Sequence, residues 1–582
     1  MPQGPGWGEG DALAGRAGGP RAHRRAKAVH RRGLPAPDGD ARGDRGHGGP
    51  DPRAADGGSL LRGPSSLRRA VAIPILTPAE SAELDRQSGA RGVTTEALME
   101  NAGRAVARAA MSLAGGTYGR RTVVISGRGN NGGDGLVAAR LLDRWGLGVS
   151  VVMMTGPEEL RGAAAESFRR FTRVGGRWLR FAPHVLDREA GRADVVIDAI
   201  FGTGFRGKPE GDMAVAIEAI NRSAGAVLAV DIPSGVEGET GLVKATAVAA
   251  DVTVTFGALK PGLVFHPGAW HAGEVDVADI GFPPDLVRSE VSLVQREDLL
   301  GLLPRRLPGT HKRSSGVVMV LAGSRAMTGA AALTASAAYR AGAGLVVLAV
   351  PEGILAVVES AIREATFLPL PETENGSVSE EAWPILAGRL SQVDALAAGP
   401  GLSTDPSTAE LVRTVVGRSP VPFVLDADGL NAFAGRGGML AERSAEAVIT
   451  PHAGEFGRLT GLSSEEVLED RVGHARKAAA EFRLPVLLKG SRTVVAEPGG
   501  NARVNPTGGS YLATAGTGDV LTGAIAAFVA RGVGSADAAV LGAYVHGAAG
   551  RLAAAGLGEG TIASDVIANL PRAIAQLEAG PP

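Results

Sequence analysis

Short runs of valine, isoleucine, leucine and alanine recur along this chain, and most end in a turn rich in glycine and acid. Thr122–Ser126 runs into Gly127-Arg128-Gly129-Asn130-Asn131-Gly132-Gly133-Asp134-Gly135. Val195–Ile197 runs into Asp198 and then Gly202-Thr203-Gly204-Phe205-Arg206-Gly207-Lys208. Ala226–Val230 runs into Asp231-Ile232-Pro233-Ser234-Gly235. Val149–Met154 and Val252–Phe256 have the same apolar make-up. Helical stretches separate these runs, and that alternation forces a parallel sheet, whose ligands bind at the carboxyl ends of the strands. Asn131, Asp134, Asp198, Asp231 and Ser234 are therefore expected to converge on one crevice. Each by itself is more often a cap or turn residue, and only their convergence points to a site.

The pattern starts again after a stretch rich in proline and charge, Gly281–Pro284 and Leu303–Pro308. Strands are expected at Val317–Ala322, Leu345–Val350, Val393–Ala398, Val421–Leu425, Ala447–Thr450 and Pro485–Leu488. Their turns are Gly323-Ser324, Gly399-Pro400-Gly401, Asp426-Ala427-Asp428, Pro451–Glu455 and Lys489–Thr493. The series closes on Asn505–Gly509 and Ala513-Thr514-Ala515-Gly516-Thr517-Gly518-Asp519, followed by the apolar run Val520–Ala530. A helix starting beside Gly518 presents free N–H groups and the positive end of its dipole, which makes an anion site. Asp519 beside that site is either an N-terminal cap or a proton acceptor in phosphoryl transfer. Both readings remain open on this stretch alone.

At 582 residues the chain exceeds a single ordinary core, so two or more domains are expected. The boundary falls near residue 290, giving 72–288 and 291–580. Residues 1–70 hold thirteen Lys and Arg against seven Asp and Glu, with large apolar residues scattered singly. Such a segment cannot offset its ordering entropy and reads as a disordered extension. Order is expected from Ile73, with Thr77-Pro78-Ala79-Glu80 as a helix start and a second helix at about 94–112. A net charge of −1 argues against nucleic-acid binding by the whole molecule. The absence of cysteine removes disulfides, thiolate nucleophiles and thiolate metal sites, and it fits a cytoplasmic location. No apolar run is long enough to span a bilayer.

The turns at 130–135, 198–208 and 231–235 resemble those of the NAD(P)H-hydrate epimerase family. His311-Lys312, Gly323-Ser324, Gly329-Ala330, Gly399–Gly401, Pro451–Glu455, Lys489–Thr493 and Asn505–Asp519 resemble the ADP/ATP-dependent NAD(P)H-hydrate dehydratase family. The resemblance covers about residues 75–580, with both families in the order of a fused chain. It implies a Rossmann-like α/β/α domain followed by a ribokinase-like α/β domain. The implied activity is repair: epimerisation of the R and S hydrates of NAD(P)H, then dehydration of the S form with ADP.

In the first domain the resemblance implies substrate contacts from Asn130, Asn131, Gly132, Gly133, Asp134, Gly202, Thr203, Gly204, Phe205, Arg206, Gly207, Lys208 and Asp231. Asp231 is the expected catalytic residue, against the alternative that it only caps its turn. Asn131, Asp198 and Ser234 would hold a potassium ion; hard oxygen ligands permit this without selecting potassium. In the second domain Ala330, Gly401, His452 and Asp519 would contact the hydrate, with Asp519 catalytic. Lys489, Gly490, Ser491, Arg492, Thr493 and Gly518 would bind the adenine nucleotide, with magnesium, for which Glu455 is a candidate ligand. His452 also reads as a structural histidine. Ala453 stands where the family often has proline, and Ser510-Tyr511 is bulkier than the family's usual small residues. The family implies a homo-oligomer. Two other functions stay open: a vitamin-type kinase of ribokinase-like fold, and a first domain that binds without catalysing.

Overall fold

The computed structural model describes residues 61–62, 72–306 and 308–579. The extension expected at 1–70 lies outside the described residues, except that Leu61–Arg62 adds a short strand to one sheet edge.

The first sheet has eight strands, all paired in parallel. From one edge they run Leu61–Arg62, Glu274–Ala278, Val252–Phe256, Ala226–Val230, Val195–Ala199, Arg121–Ser126, Gly148–Met153 and Trp178–Arg180. Successive side chains on each strand enter different cores. Val124 and Ile197 pack with the helices Thr95–Ala114 and Asn130–Arg144, whereas Val123, Ile125 and Val196 pack with Asp212–Arg222. Burial on both faces explains the near-continuous apolar runs of the sequence. The chain builds outward from Arg121–Ser126 in one direction, then returns to place Val195–Ala199 on its other side. That reversal is the switch point at which such sheets bind ligands.

The second sheet has eleven strands and is mostly parallel. Its parallel part holds Thr366–Leu370, Leu345–Pro351, Val317–Leu321, Ala395–Ala398, Phe423–Leu425, Ala447–Ile449 and Val486–Leu488, in that order. Val494–Ala496 and Ala502–Val504 continue it antiparallel, and Val291–Leu293 and Ile73–Pro74 complete it. The helix Thr517–Ala530 lies against Thr328–Arg340 so closely that a Cβ on Gly523 would stand 2.1 Å from the Thr334 carbonyl oxygen. No helix among the described residues is long and apolar enough to cross a membrane.

Ile73–Leu76 stitches the two sheets together. The Ile75 N–H donates to the Val291 carbonyl at 2.9 Å, and the Leu76 N–H donates to the Leu259 carbonyl at 2.8 Å. Around this crossing Ile75, Leu259, Val264 and Phe265 share one apolar cluster with Leu293, Val494 and Val504. The following helix begins as expected. Thr77 Oγ1 accepts from the Glu80 N–H at 3.2 Å, Glu80 accepts from the Thr77 N–H at 2.7 Å, and Pro78 occupies the first turn.

One expectation is corrected. Residues 127–135 read as a turn throughout, but the helix starts within them, at Asn130. Its glycines serve close packing. A Cβ on Gly132 would lie 2.1 Å from the Gly127 carbonyl oxygen, and one on Gly135 would lie 2.6 Å from the Ala199 Cβ. Glycine density signals a turn by sequence, but here it lets a helix start sit against the sheet.

Candidate active sites

A cavity of about 760 Å3 opens at the switch point of the first sheet. Asn130, Asn131 and Asp134 line it from the helix start, and Gly202 to Arg206 line it from the loop after Val195–Ala199. Asp231 and Lys260 enter from the ends of the next two strands, and Asp85 enters from the first helix. Leu84, Leu98, Met99, Phe256 and Phe282 supply an apolar wall. Gly132 and Gly133 do not line the cavity. Gly207 and Lys208 also lie outside it; the Gly207 N–H donates to Glu237 at 3.0 Å, and the Lys208 ammonium sits 2.9 Å from Glu210.

Asp231 is the centre of this site. It holds φ of +64°, a conformation that costs a non-glycine residue free energy and that clusters at functional positions. Its Oδ1 accepts from Lys260 Nζ at 2.7 Å and from Thr255 Oγ1 at 3.0 Å. Its Oδ2 faces the Thr203 N–H at 3.4 Å. Lys260 is buried and also donates to Thr255 Oγ1 at 2.8 Å and to the Phe256 carbonyl at 3.0 Å. All three ammonium protons are therefore committed, which makes Lys260 a clamp that orients Asp231. Asp134 is the opposite case. Burial first, then the neighbouring Asp231 and Asp85, push its carboxyl well above the usual range against the pull of Lys260.

Asp198 and Ser234 lie beneath the cavity rather than in its wall, and both are fully buried. Ser234 Oγ donates to Asp198 Oδ1 at 2.6 Å, and the Ser234 N–H donates to Oδ2 at 2.8 Å. Burial pushes the Asp198 carboxyl up to about 6, with these hydrogen bonds opposing it. Asn131 donates through Nδ2 to the Phe201 carbonyl at 2.9 Å, while its buried Oδ1 has no partner. A buried amide oxygen without a partner suits a hard cation.

The second site gathers strand ends of the second sheet. Asp426, at the end of Phe423–Leu425, is buried. It accepts from Lys489 Nζ at 2.7 Å and from Thr522 Oγ1 at 2.7 Å. Burial disfavours the Lys489 charge, but Asp426 and Glu455 outweigh this and hold its ammonium above the ordinary range. The helix Thr517–Ala530 starts from Gly516 at φ +88°, and Thr517 Oγ1 donates back to the carbonyls of Leu512 and Thr514, both at 2.9 Å. The Thr517 N–H donates back to the Thr514 carbonyl at 3.4 Å, and helix geometry leaves the N–H groups of Gly518 and Asp519 without helical partners. Asp519 lies in that first turn, and a Cβ on Gly518 would stand 3.6 Å from Lys489 Nζ. Burial, then Asp426 and Asp428, push the Asp519 carboxyl up to about 7, with Lys489 opposing.

Ala330 and Gly401 meet: a Cβ on Gly401, whose φ is +65°, would lie 2.9 Å from the Ala330 Cβ. A groove of about 500 Å3 runs beside them, lined by Ser324, Met327 and Ser403 among others. His452 caps the helix Ala453–Thr460, its Nδ1 accepting from the N–H groups of Gly454 at 3.0 Å and Glu455 at 3.3 Å. Its side chain remains 53% exposed, with Nε2 3.4 Å from Glu455 Oε1. Glu455 is occupied by that cap and by Lys489. Among the described residues no group of three or more His, Cys, Asp or Glu forms a metal cage.

Lys260, Thr255, Asp85 and Thr522 were not singled out by sequence, and Asp426 was read only as part of a strand-end turn. Lys260 offers one faint signal, a lone lysine after a strand and before Pro261-Gly262.

Two family patterns match the chain: "YjeF-related protein N-terminus" over residues 95–262 and "NAD(P)H-hydrate dehydratase" over residues 318–572. The bifunctional NAD(P)H-hydrate repair enzyme Nnr of Moorella thermoacetica is 42% identical over 87% of this chain and 97% of its own length. The enzyme of the same name from Thermofilum pendens is 41% identical over 85% of this chain and 95% of its own. Among solved structures, an ADP/ATP-dependent NAD(P)H-hydrate dehydratase from Bacillus subtilis, co-crystallised with ATP and Mg2+, is 31% identical over 49% of this chain and 98% of its own, with a TM-score of 0.43.

Proposed function

The chain belongs to the family of bifunctional NAD(P)H-hydrate repair enzymes, and we propose on that premise that its two sites share the repair between them. The first interconverts the R and S hydrates. The second dehydrates the S form to NAD(P)H with an adenine nucleotide. The observation that carries this reading is one chain holding both a cavity at a Rossmann-type switch point and a helix start with a perturbed carboxylate in its first turn.

In the first site the helix start at Asn130 and the N–H groups of Gly202–Arg206 receive the dinucleotide pyrophosphate. Asp231, held by Lys260 and Thr255, is the base, and the apolar wall takes the nicotinamide ring. Asn131, Asp198 and Ser234 would hold potassium, which would neutralise the buried Asp198 beneath the cavity. A potassium titration should raise the thermal unfolding midpoint saturably, and Asn131→Ala should abolish the rise. An equal rise in the variant would remove this site.

In the second site the hydrate's hydroxyl attacks the terminal phosphorus of the nucleotide, and Asp519 takes its proton. The first-turn N–H groups hold the transferring phosphoryl group. The C6–O bond then breaks as the ring nitrogen donates its lone pair. Phosphate leaves, and loss of a proton from C5 completes NAD(P)H. Magnesium bound to the nucleotide phosphates would neutralise their charge, and Glu455, beside Lys489 at 3.5 Å, is a candidate oxygen ligand for it. Only ionised Asp519 can accept a proton, and its carboxyl titrates at about 7. Dehydration should therefore fall about tenfold per pH unit below that value and level off above it. A rate flat between pH 5 and 8 would exclude Asp519 as the base.

The direct test incubates purified protein with separated R and S hydrates, with ADP, with ATP and with neither. Recovery of reduced cofactor from both epimers, only with nucleotide, is expected. Recovery without nucleotide, or from the S form alone, would overturn the reading. A stable phosphorylated vitamin-type alcohol as product would favour a kinase instead.

A further inference from the structure

The loop Lys489–Thr493 has an unusual support. Gly490 sits at φ +144° and Arg492 at φ +57°, so two of its five residues hold conformations that favour glycine. Arg471, at the start of the helix Arg471–Phe482, gathers the loop's carbonyls. Its guanidinium donates to the Ser491 carbonyl, to Leu488 at 3.3 Å and to Lys489 at 3.4 Å. A Cβ on Gly490 would lie 2.9 Å from that guanidinium, so the glycine leaves room for it. No carboxylate among the described residues pairs with Arg471, and burial alone lowers it to about 10. Its aromatic neighbour comes from the first domain: the Phe265 ring centroid lies 5.8 Å from the guanidinium carbon. Phe265 is buried in the apolar cluster shared by the two domains. It follows Lys260, the clamp of Asp231, by one short helix, Pro261–Val264.

We propose that Arg471 is a positioning residue for the nucleotide loop and that Phe265 of the first domain completes its setting, so that nucleotide affinity in the second site depends on the first domain. The proposal rests on the reading of 489–493 as a nucleotide loop. A guanidinium fork can hold several carbonyls in one plane, and an aromatic face stabilises a desolvated cation without adding a competing acceptor. Loss of the ring frees the guanidinium. The loop then relaxes, and Lys489, whose ammonium faces Gly518, shifts with it.

The test compares Phe265→Leu, Phe265→Tyr, Arg471→Lys and the double variant Phe265→Leu/Arg471→Lys in the full chain. Each is assayed for dehydration against ADP concentration and for epimerisation. Phe265→Leu should raise the KM for ADP about tenfold and leave kcat within about twofold, in line with the loss of a desolvated cation–π contact. Phe265→Tyr, which keeps the ring, should behave as the parent. The double variant should be no weaker than Arg471→Lys, because the two residues act as one unit. Epimerisation should be unchanged throughout.

An unchanged KM in Phe265→Leu, additive effects in the double variant, or equal losses in both activities would each overturn the proposal. Should Phe265→Leu fail to fold, Phe265→Tyr and Arg471→Lys still decide it: a raised KM in the first or an unchanged KM in the second overturns it. A parent protein with no nucleotide-dependent dehydration would instead overturn the reading of the loop itself.

Discussion

Asp519→Asn is expected to cut dehydration of the S hydrate by about 10²–10⁴-fold, the usual worth of a positioned base. Nucleotide binding and epimerisation should continue. The substitution preserves shape and removes only the ability to accept a proton. Its stability cost should be small. The helix loses a favourable charge in its first turn, worth about 0.3–1 kcal/mol. It also loses a carboxyl that burial, Asp426 and Asp428 already hold near neutrality. These effects oppose each other, so a fall in rate cannot be assigned to unfolding. Binding of ADP by calorimetry and epimerisation of the R hydrate provide the controls. If Asp519 is only a helix cap, dehydration survives the change.

Asp231→Asn should abolish epimerisation by a similar about 10²–10⁴-fold and leave dehydration of the S hydrate intact. Asparagine is the informative replacement here for two reasons. The residue sits at φ +64°, which asparagine tolerates and alanine does not. It also keeps an oxygen for Lys260, whereas alanine would strand a buried ammonium, a loss of about 3–5 kcal/mol when a buried pair is broken. Lys260→Met tests the clamp separately. Without the ammonium, the Asp231 carboxylate loses the donor that fixes its orientation. Epimerisation by Lys260→Met should therefore fall while dehydration of the S hydrate continues. Parent-like epimerisation by Lys260→Met would show that Lys260 has no hold on Asp231, and unchanged epimerisation in Asp231→Asn would leave the first domain a binding module.

Much of the fold was legible in the residues because it depends on near neighbours. The capping box at Thr77 and Glu80 is a contact three residues apart. The helix Thr95–Ala114 follows from Leu98, Met99, Ala102 and Val106 on one face. Strand runs such as Thr122–Ser126 are readable because a parallel strand buried on both faces must be apolar throughout. Asn131, Asp134, Asp231 and Asp519 stood out because they end strands or begin helices, where side chains of an α/β sheet reach ligands.

What the sequence by itself determined is therefore the two α/β units, the strand ends that carry chemistry and the family that those turns identify. What only the tertiary structure decided are the pairings made across the chain. Lys260 reaches Asp231 over 29 residues, and Thr522 reaches Asp426 over 96. Phe265 of the first domain meets Arg471 of the second. No local pattern encodes these contacts, because each partner is chosen by sheet order and helix packing rather than by its neighbours. The same reason turned Gly132, Gly133 and Gly135 from an expected turn into a helix start: the sheet end lies against Gly132 and Gly135, and Met99 of another helix lies against Gly133, neighbours that only the folded chain brings there.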